Sequence, residues 1–203
     1  VNTMIITVVT PSYNQGRFLE DTIRSVLSQE GDFFIDYIIM DGGSGDQSID
    51  IIKKYERLLN ENCTEENRDG FSYYAPPGKK LPWHRCLGIS LRWESTPDNG
   101  QVHALKKGFR IAAGEIFCWL NSDDFYLDQT VLGRVQGYFS RDSRLGILFG
   151  DGELVSESGD ITGHHYVKKI NADELLFLDY HILQPASFFH RDIYAENHLD
   201  ESY

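Results

Sequence analysis

The stretch Cys118-Trp119-Leu120-Asn121-Ser122-Asp123-Asp124 decides how this chain is read. An apolar run opened by Gly114, from Glu115 to Leu120, ends in two adjacent carboxylates. That is the pattern of a short buried strand with acidic groups at its carboxyl end. In an open α/β sheet, that end is where ligands bind. Neighbouring carboxylates repel each other, so the pair calls for a cation. An oxygen-only donor set points to Mg2+ or Mn2+, ions that bridge readily to phosphates. The plain alternative is that Asp123 or Asp124 caps a helix beginning near Asp128.

Working outward, the chain alternates strands and helices. Met4 to Thr10 is a β-branched apolar run stopped by Pro11. Arg17 to Gln29 places Leu19, Ile23, Val26 and Leu27 on one helical face. Phe34 to Met40 is a second strand, turned by Asp41-Gly42-Gly43-Ser44-Gly45-Asp46. Gln47 to Leu59 is a second amphipathic helix. Leu87 to Trp93, Gln101 to Ala113, the strand ending at Asp123, Leu127 to Phe139 and Leu145 to Phe149 continue the alternation. It predicts a mostly parallel sheet with right-handed crossovers. A hairpin is expected over Glu153 to Gly163, a short helix over Asn171 to Leu178 and a late strand over Gln184 to Phe189. Asn60 to Arg85 breaks the rhythm with polar residues and Pro76-Pro77-Gly78, and is expected to be a long mobile loop. Its Lys79, Lys80 and Arg85 read as solvated cations. The whole 1–203 chain reads as one domain.

The chain has 31 acidic and 19 basic residues, a net charge of −12. With no basic stripe to neutralise phosphates, a nucleic-acid partner is excluded. Membrane contact is expected to be peripheral at most. Cys63, Cys86 and Cys118 form no CxxC pair, which removes a zinc site. The odd cysteine count and the lack of a secretion signal fit a reducing cytoplasm.

Three strand ends bear polar clusters: Thr10-Pro11-Ser12-Tyr13, Asp41-Gly42-Gly43-Ser44 and Asn121-Ser122-Asp123-Asp124. A parallel sheet brings them to one edge. Tyr13 offers a face for a base, Asp41 an acceptor for an imide N–H, and Asp123 with Asp124 a cation site for a diphosphate. Together they describe a nucleoside diphosphate. Neither GxGxxG nor GxxxxGK[ST] is present, which removes the dinucleotide and P-loop readings. Each cluster taken alone is an ordinary turn.

The segments TPSYNQGRFLEDTIRSVLSQ, DYIIMDGGSGDQSIDIIKKY, WESTPDNGQVHALKKGFRIAAGEIFCWLNSDD and ILQPASFF resemble the family 2 glycosyltransferases, inverting enzymes with the GT-A fold. The resemblance covers nearly all of the chain outside residues 60–85. It implies that Thr10, Pro11, Ser12 and Tyr13 hold base and ribose and that Asp41 reads uracil. It implies that Asp98, Gly100 and Lys107 lie near the nucleotide, and that Gln184-Pro185 belong to the acceptor side. Asn121-Ser122-Asp123 stands at the family's DxD position. There the last Asp binds the metal, Mn2+ or Mg2+, and Asp124 is the second candidate ligand. Asn121 replaces the first Asp, as a neutral oxygen ligand or ribose contact, with Ser122 beside it. The family's general base is expected after Tyr203, so that no catalytic residue is assigned within 1–203. Asp200 and Glu201 read as a solvated turn.

The implied activity is metal-dependent transfer of a sugar from a nucleoside diphosphate donor, expected to be UDP-linked, to a saccharide or lipid-linked acceptor. The setting is surface-polysaccharide assembly in a bacterial cytoplasm or at the inner face of its membrane. Two other readings stand beside it: a non-catalytic nucleotide-sugar-binding domain, and a sugar-phosphate nucleotidyltransferase. The second needs a glycine-rich basic first loop, which TPSYNQG is not.

Overall fold

The computed structural model describes residues 3–76, 85–167, 182–196 and 199. The elements run β1 (Ile5–Ser12), α1 (Leu19–Leu27), β2 (Phe34–Asp41), α2 (Ser48–Asn62), β3 (Thr64–Arg68), β4 (Phe71–Ala75), β5 (Gly88–Ser95), α3 (Gln101–Arg110), β6 (Ile116–Trp119) and α4 (Val131–Arg141). Then come β7 (Ile147–Phe149), β8 (Gly152–Val155), β9 (Ile161–His165), a 3-10 turn (Gln184–Ala186), β10 (Ser187–His190) and α5 (Arg191–Glu196).

Among the described residues one sheet has the order β3-β4-β5-β2-β1-β6-β10-β7, and β8 and β9 form a separate hairpin. The central strands β5, β2, β1 and β6 are parallel. The flanking strands β4 and β10 run antiparallel to them. The expected mostly parallel sheet is thus its central part, with antiparallel strands on both sides.

The central strands are apolar on both faces because helices cover both. Ile6, Val8, Ile35, Tyr37 and Ile39 pack under α1, α2 and α4 with Leu19, Ile23, Ile52, Leu59 and Leu132. The alternate residues Val9, Ile38 and Met40 face α3 with Leu105, Phe109 and Phe117. An aromatic cluster extends this second layer, with Phe109 stacked on Phe117 at 5.2 Å between ring centroids and tilted to Tyr194 of α5 at 5.0 Å. Gly108 allows α3 to approach, since a Cβ there would lie 2.5 Å from a Val9 methyl.

A charged network lies inside the sheet. Asp36 is fully buried. Its carboxylate accepts hydrogen bonds from Arg92 Nη2 (2.6 Å), Thr7 Oγ1 (2.9 Å) and the Ala113 N–H (2.8 Å). These contacts tie β1, β2, β5 and the chain entering β6 together. The Gly114 N–H donates to Thr7 Oγ1 at 2.9 Å, and a Cβ at Gly114 would come within 2.6 Å of that oxygen.

The expectation of a loop over 60–85 needs correction. α2 continues to Asn62, and residues 64–75 form the β3–β4 hairpin. It turns at Asp69 (φ 53°) and Gly70 (φ 85°), the left-handed pair that a two-residue hairpin turn requires. Phe71 and Tyr73 pack on Phe34 at 6.1 and 4.6 Å between centroids. All five residues of β3 are exposed, so the strand carries no apolar signature. Residues 77–84, with Lys79 and Lys80, lie outside the described residues, as do the helix expected over 171–178 and Asp200 and Glu201. The helix expected from Leu127 begins at Val131, and the late strand opens as a 3-10 turn. The hairpin expected over 153–163 is β8–β9.

Candidate functional site

Strand register brings the predicted clusters together. Ser12, Asp41 and Ser95 are in-register neighbours at the carboxyl ends of β1, β2 and β5, and β6 ends beside β1 with Val9 opposite Trp119. The turns leaving these four strands enclose a cleft of about 650 Å³. Pro11, Ser12 and Tyr13 line it from β1, Gly42 from β2, Asp98, Gly100 and Gln101 from the entry to α3, and Asn121, Ser122 and Asp123 from β6.

Tyr13 projects at the rim, 63% exposed. Its aim is set by Asn14, a residue absent from the sequence reading. Asn14 takes a left-handed conformation (φ 53°), donates its N–H to Ser44 Oγ at 2.8 Å, and accepts from the Gly45 N–H at 2.9 Å. Asparagine is among the non-glycine residues that most readily adopt this backbone. Ser12 is 5% exposed, and its hydroxyl has no hydrogen-bond partner among the described residues. A buried unpaired hydroxyl on the wall of a polar cleft suits a ligand atom. Thr10 does not reach the cleft. It is fully buried and its hydroxyl meets Tyr37 Oη at 3.1 Å.

Asp41 also lies behind the cleft wall, 2% exposed. Its Oδ2 accepts from the N–H groups of Gly43 (3.0 Å) and Ser44 (2.8 Å) and from Ser95 Oγ (2.7 Å), while Oδ1 accepts from Ser44 Oγ at 2.5 Å. This carboxylate builds the turn after β2. The carboxylate displayed at this end of the cleft is Asp98. Its Oδ1 accepts the Gly100 N–H at 2.9 Å. A Cβ at Gly42 would lie 3.2–3.3 Å from both Asp98 oxygens and 3.3 Å from the Tyr13 ring. Gly42 thus floors a narrow slot between an aromatic face and a carboxylate. Gly100 has φ 102°, in the left-handed region that favours glycine, and starts α3. Lys107 turns away from the cleft: its Nζ donates to Glu94 Oε1 (2.6 Å) and Thr96 Oγ1 (2.8 Å), bracing the loop that holds Asp98.

At the end of β6, Asp123 is exposed. It also edges a second cleft, of about 1020 Å³, between α1 and the β8–β9 hairpin. Arg17 Nη1 and Glu157 Oε2, 2.7 Å apart, link that hairpin to the start of α1. Asp124 is half-buried. Burial lifts its carboxyl above the ordinary aspartate value and the charge of Asp123 lifts it further, while a hydrogen bond from the Asn121 side chain acts the other way. Ser122 is buried, and its carbonyl accepts from Thr22 Oγ1 at 3.0 Å, as does that of Asp124 at 2.7 Å. Neither aspartate caps α4. Asp128 shapes that approach instead, accepting from the Thr130 N–H and Oγ1 at 2.7 Å each.

Gln184 stands under the motif: its Nε2 donates to the Trp119 carbonyl at 2.6 Å and its Oε1 is buried without a partner. With Pro185 it lines neither cleft. His190 pairs with Ile116 at the opposite end of β6 and lies away from the motif. His164 belongs to β9, 3.5 Å from Glu153.

Among the described residues no three His, Cys, Asp or Glu side chains converge as a metal cage. Asp123 at the cleft, with the half-buried Asp124 next to it in the chain, suits an ion that keeps several waters and takes its other oxygens from phosphate, as Mg2+ does. Burial first and the charge of Asp123 second raise the Asp124 carboxyl, and such an ion would act against both.

The fold is of the GT-A type. The family model for glycosyl transferase family 2 matches residues 7–73. An uncharacterized glycosyltransferase of Mycobacterium tuberculosis is 26% identical over 147 residues, 72% of this chain and 44% of that protein. One from Rickettsia conorii is 25% identical over 199 residues, 92% of this chain and 28% of that protein. The chain therefore spans less than half the length of these relatives. Among solved structures, the mannosyltransferase PcManGT of Pyrobaculum calidifontis, in complex with GDP-Man and Mn2+, superposes with a TM-score of 0.61 at 15% identity over 97% of this chain and 47% of its own. TarS of S. aureus, in complex with UDP-GlcNAc, gives 0.61 at 15% identity over 96% and 47%. The chain thus has the GT-A fold of these solved structures, and its residues 7–73 match the family 2 glycosyltransferases.

Proposed function

We propose that the chain supplies the donor half of an inverting, metal-dependent glycosyltransferase that uses a UDP-linked sugar. The observation that supports this best is the single cleft at the carboxyl edge of the sheet, with Tyr13 and Asp98 at one end and Asn121-Ser122-Asp123 at the other. The slot over Gly42 is narrow, and a pyrimidine suits it. Tyr13 covers the base. Asp98 accepts the imide N–H, and Asp41 acts by holding the turn that floors the slot. The Ser12 hydroxyl is available to a base or ribose oxygen. Asp123 and Asp124 would hold Mn2+ or Mg2+, which when bound neutralises the charge that develops on the departing diphosphate. Gln184 acts beneath the motif by fixing the end of β6. The acceptor is a saccharide or lipid-linked sugar of surface-polysaccharide assembly. A Bacillus subtilis protein described as a putative teichuronic acid biosynthesis glycosyltransferase is 41% identical over 54 residues, 27% of this chain and 21% of that protein. Among the described residues no helix is long and apolar enough to cross a membrane.

Calorimetric titration with UDP, GDP, ADP and CDP, with and without Mn2+, tests the reading. Preferential, Mn2+-dependent binding of UDP is expected, and equal affinity for all four bases would remove the base-reading role of the slot. Tyr13→Ala should weaken UDP about tenfold, since stacking a base on an aromatic ring contributes roughly 1–3 kcal/mol. Unchanged affinity would show that Tyr13 does not stack.

A pH dependence follows from Asp124. A raised carboxyl in the folded state contributes stability that is present below the ordinary aspartate value and is lost as pH rises through the raised one. Mn2+ needs the charged form and competes with that proton. Its affinity should therefore begin to fall on acidification at a higher pH than an ordinary aspartate would set, and Asp124→Asn should flatten this limb. A Mn2+ affinity constant across the acid range would contradict it.

A further inference from the structure

An acceptor has to bring its hydroxyl to the sugar carbon that bears the diphosphate. Its cleft must therefore border the group that holds the diphosphate's cation, the role proposed for Asp123. Asp123 edges two clefts: the donor cleft, and the one of about 1020 Å³ between α1 and the β8–β9 hairpin. Gln184 and Pro185, where the family resemblance implies the acceptor side, line neither.

The walls of this second cleft come from separate elements. Phe18, Asp21 and Arg24 line it at three-residue spacing, along one stripe at the start of α1. Between them Thr22 Oγ1 donates to the carbonyls of Ser122 (3.0 Å) and Asp124 (2.7 Å), which holds this wall to the motif. Val155 and Glu157 line the cleft from the hairpin. The hairpin turn is closed by the Ser156 N–H on the Asp160 carbonyl and the Gly159 N–H on the Ser156 carbonyl, at 2.9 Å each. Glu157 Oε2 meets Arg17 Nη1 at 2.7 Å, which pins the turn to the entry of α1. Phe125, just after the motif, also lines the cleft, with 44% of its surface exposed.

The Asp21 and Arg24 side chains are exposed and make no hydrogen bond or ion pair among the described residues. The cleft thus offers aromatic surface, an uncommitted carboxylate and an uncommitted guanidinium. Aromatic surface covers apolar C–H faces, a carboxylate accepts from hydroxyls, and a guanidinium donates to them. A saccharide ring satisfies all three. A phosphate would satisfy only Arg24 and be repelled by Asp21 and Asp123.

We infer that the cleft between α1 and the β8–β9 hairpin receives the acceptor saccharide, with Phe125 against a face of the ring and Asp21 and Arg24 on its hydroxyls. The inference rests on the proposed donor site, because Asp123 is what joins the two clefts.

Nitrogen-15 spectra of the chain with UDP and Mn2+ test it, using the methyl glycosides of glucose, galactose, mannose and N-acetylglucosamine as probes. At least one should shift the backbone amides of Phe125 and of residues 156–159 and the Arg24 side-chain N–H, and leave the Gly42 and Gly100 amides in place. Covering the exposed part of the Phe125 ring contributes about tenfold in affinity, so Phe125→Ala should weaken that glycoside by about this factor. Arg24→Ala, on the other wall, should weaken it about fivefold through the lost hydrogen bond. If Phe125→Ala does not fold, Arg24→Ala decides alone. No shift at these positions with any of the four glycosides, shifts confined to the donor cleft, or an unchanged affinity in Arg24→Ala would overturn the inference. UDP and Mn2+ added without glycoside test the donor site separately, through the Gly42 and Gly100 amides. If those shift and the glycosides shift nothing, only the acceptor cleft falls. If UDP shifts nothing, the donor reading falls, and the acceptor role of this cleft falls with it even where a glycoside binds.

Discussion

Asp123→Ala is expected to abolish the Mn2+-dependent part of UDP binding while the fold survives. Asp123 is exposed, and among the described residues no hydrogen bond or ion pair involves its side chain. Removing such a surface group changes stability by roughly 0.5 kcal/mol or less. Its effect falls on the cation, which loses one of two protein carboxylates and keeps only Asp124, whose burial favours its neutral form. A loss of at least about tenfold in UDP affinity with Mn2+ present, or about 1.4 kcal/mol, is the expected result. Without Mn2+, UDP should bind the variant and the unsubstituted chain alike. Titration in the two conditions, with circular-dichroism melts alongside, checks both halves. If Asp123→Ala binds as tightly as the unsubstituted chain and Asp124→Ala does not, the ligand is Asp124.

Asp36→Ala should be the most damaging single change to the scaffold. Deleting this carboxylate leaves the Thr7 hydroxyl and the Ala113 N–H without their acceptor, and strips Arg92 of its ion pair. Breaking a buried pair from one side costs about 3–5 kcal/mol. The Arg92 side chain is 37% exposed, so water recovers part of that loss. A net loss of about 3 kcal/mol is expected, or a fall of about 10 °C in Tm for a chain of this size. Asp36→Asn keeps an acceptor oxygen and should cost less. A loss under about 1 kcal/mol for Asp36→Ala, on urea titration, would show that the network contributes little net stability. Asp36 lies five residues, about 16 Å, below the carboxyl end of β2. UDP affinity should therefore be unchanged where the variant is folded.

Much of the fold was legible because the central strands are doubly buried and the helices are periodic. β-branched runs such as Ile5 to Thr10, and the spacing of Leu19, Ile23, Val26 and Leu27, admit few other readings. Convergence of the three polar clusters followed from parallel topology alone. Individual side chains were less legible. Motif residues are consecutive in sequence, but a strand sends neighbours to opposite faces, so Thr10 turns inward to Tyr37 while Pro11 lines the cleft. Asp41 begins an Asp-Gly-Gly-Ser turn, and such an aspartate commonly accepts the N–H groups of its own turn, as here. The Lys107 ammonium found Glu94, thirteen residues earlier, a pairing no local pattern shows. The β3–β4 hairpin had its signal in Asp69-Gly70, but the charge of β3 obscured it. Asn121 was visible as a departure from the family, while its hydrogen-bond partner, Gln101, depended on where α3 begins.

That charge on β3 has a use of its own. An outermost strand offers a row of backbone donors and acceptors to any passing chain, and proteins that stay apart must discourage the offer. β3 reads Thr64-Glu65-Glu66-Asn67-Arg68, wholly exposed, with three charged side chains in five residues. A second molecule adding its own β3 antiparallel there would bring acidic side chains face to face. At the other end of the sheet β7 is only three residues long, too short a ledge for much pairing. One edge repels and the other is brief, so among the described residues the eight-stranded sheet ends without inviting a ninth strand from a neighbour.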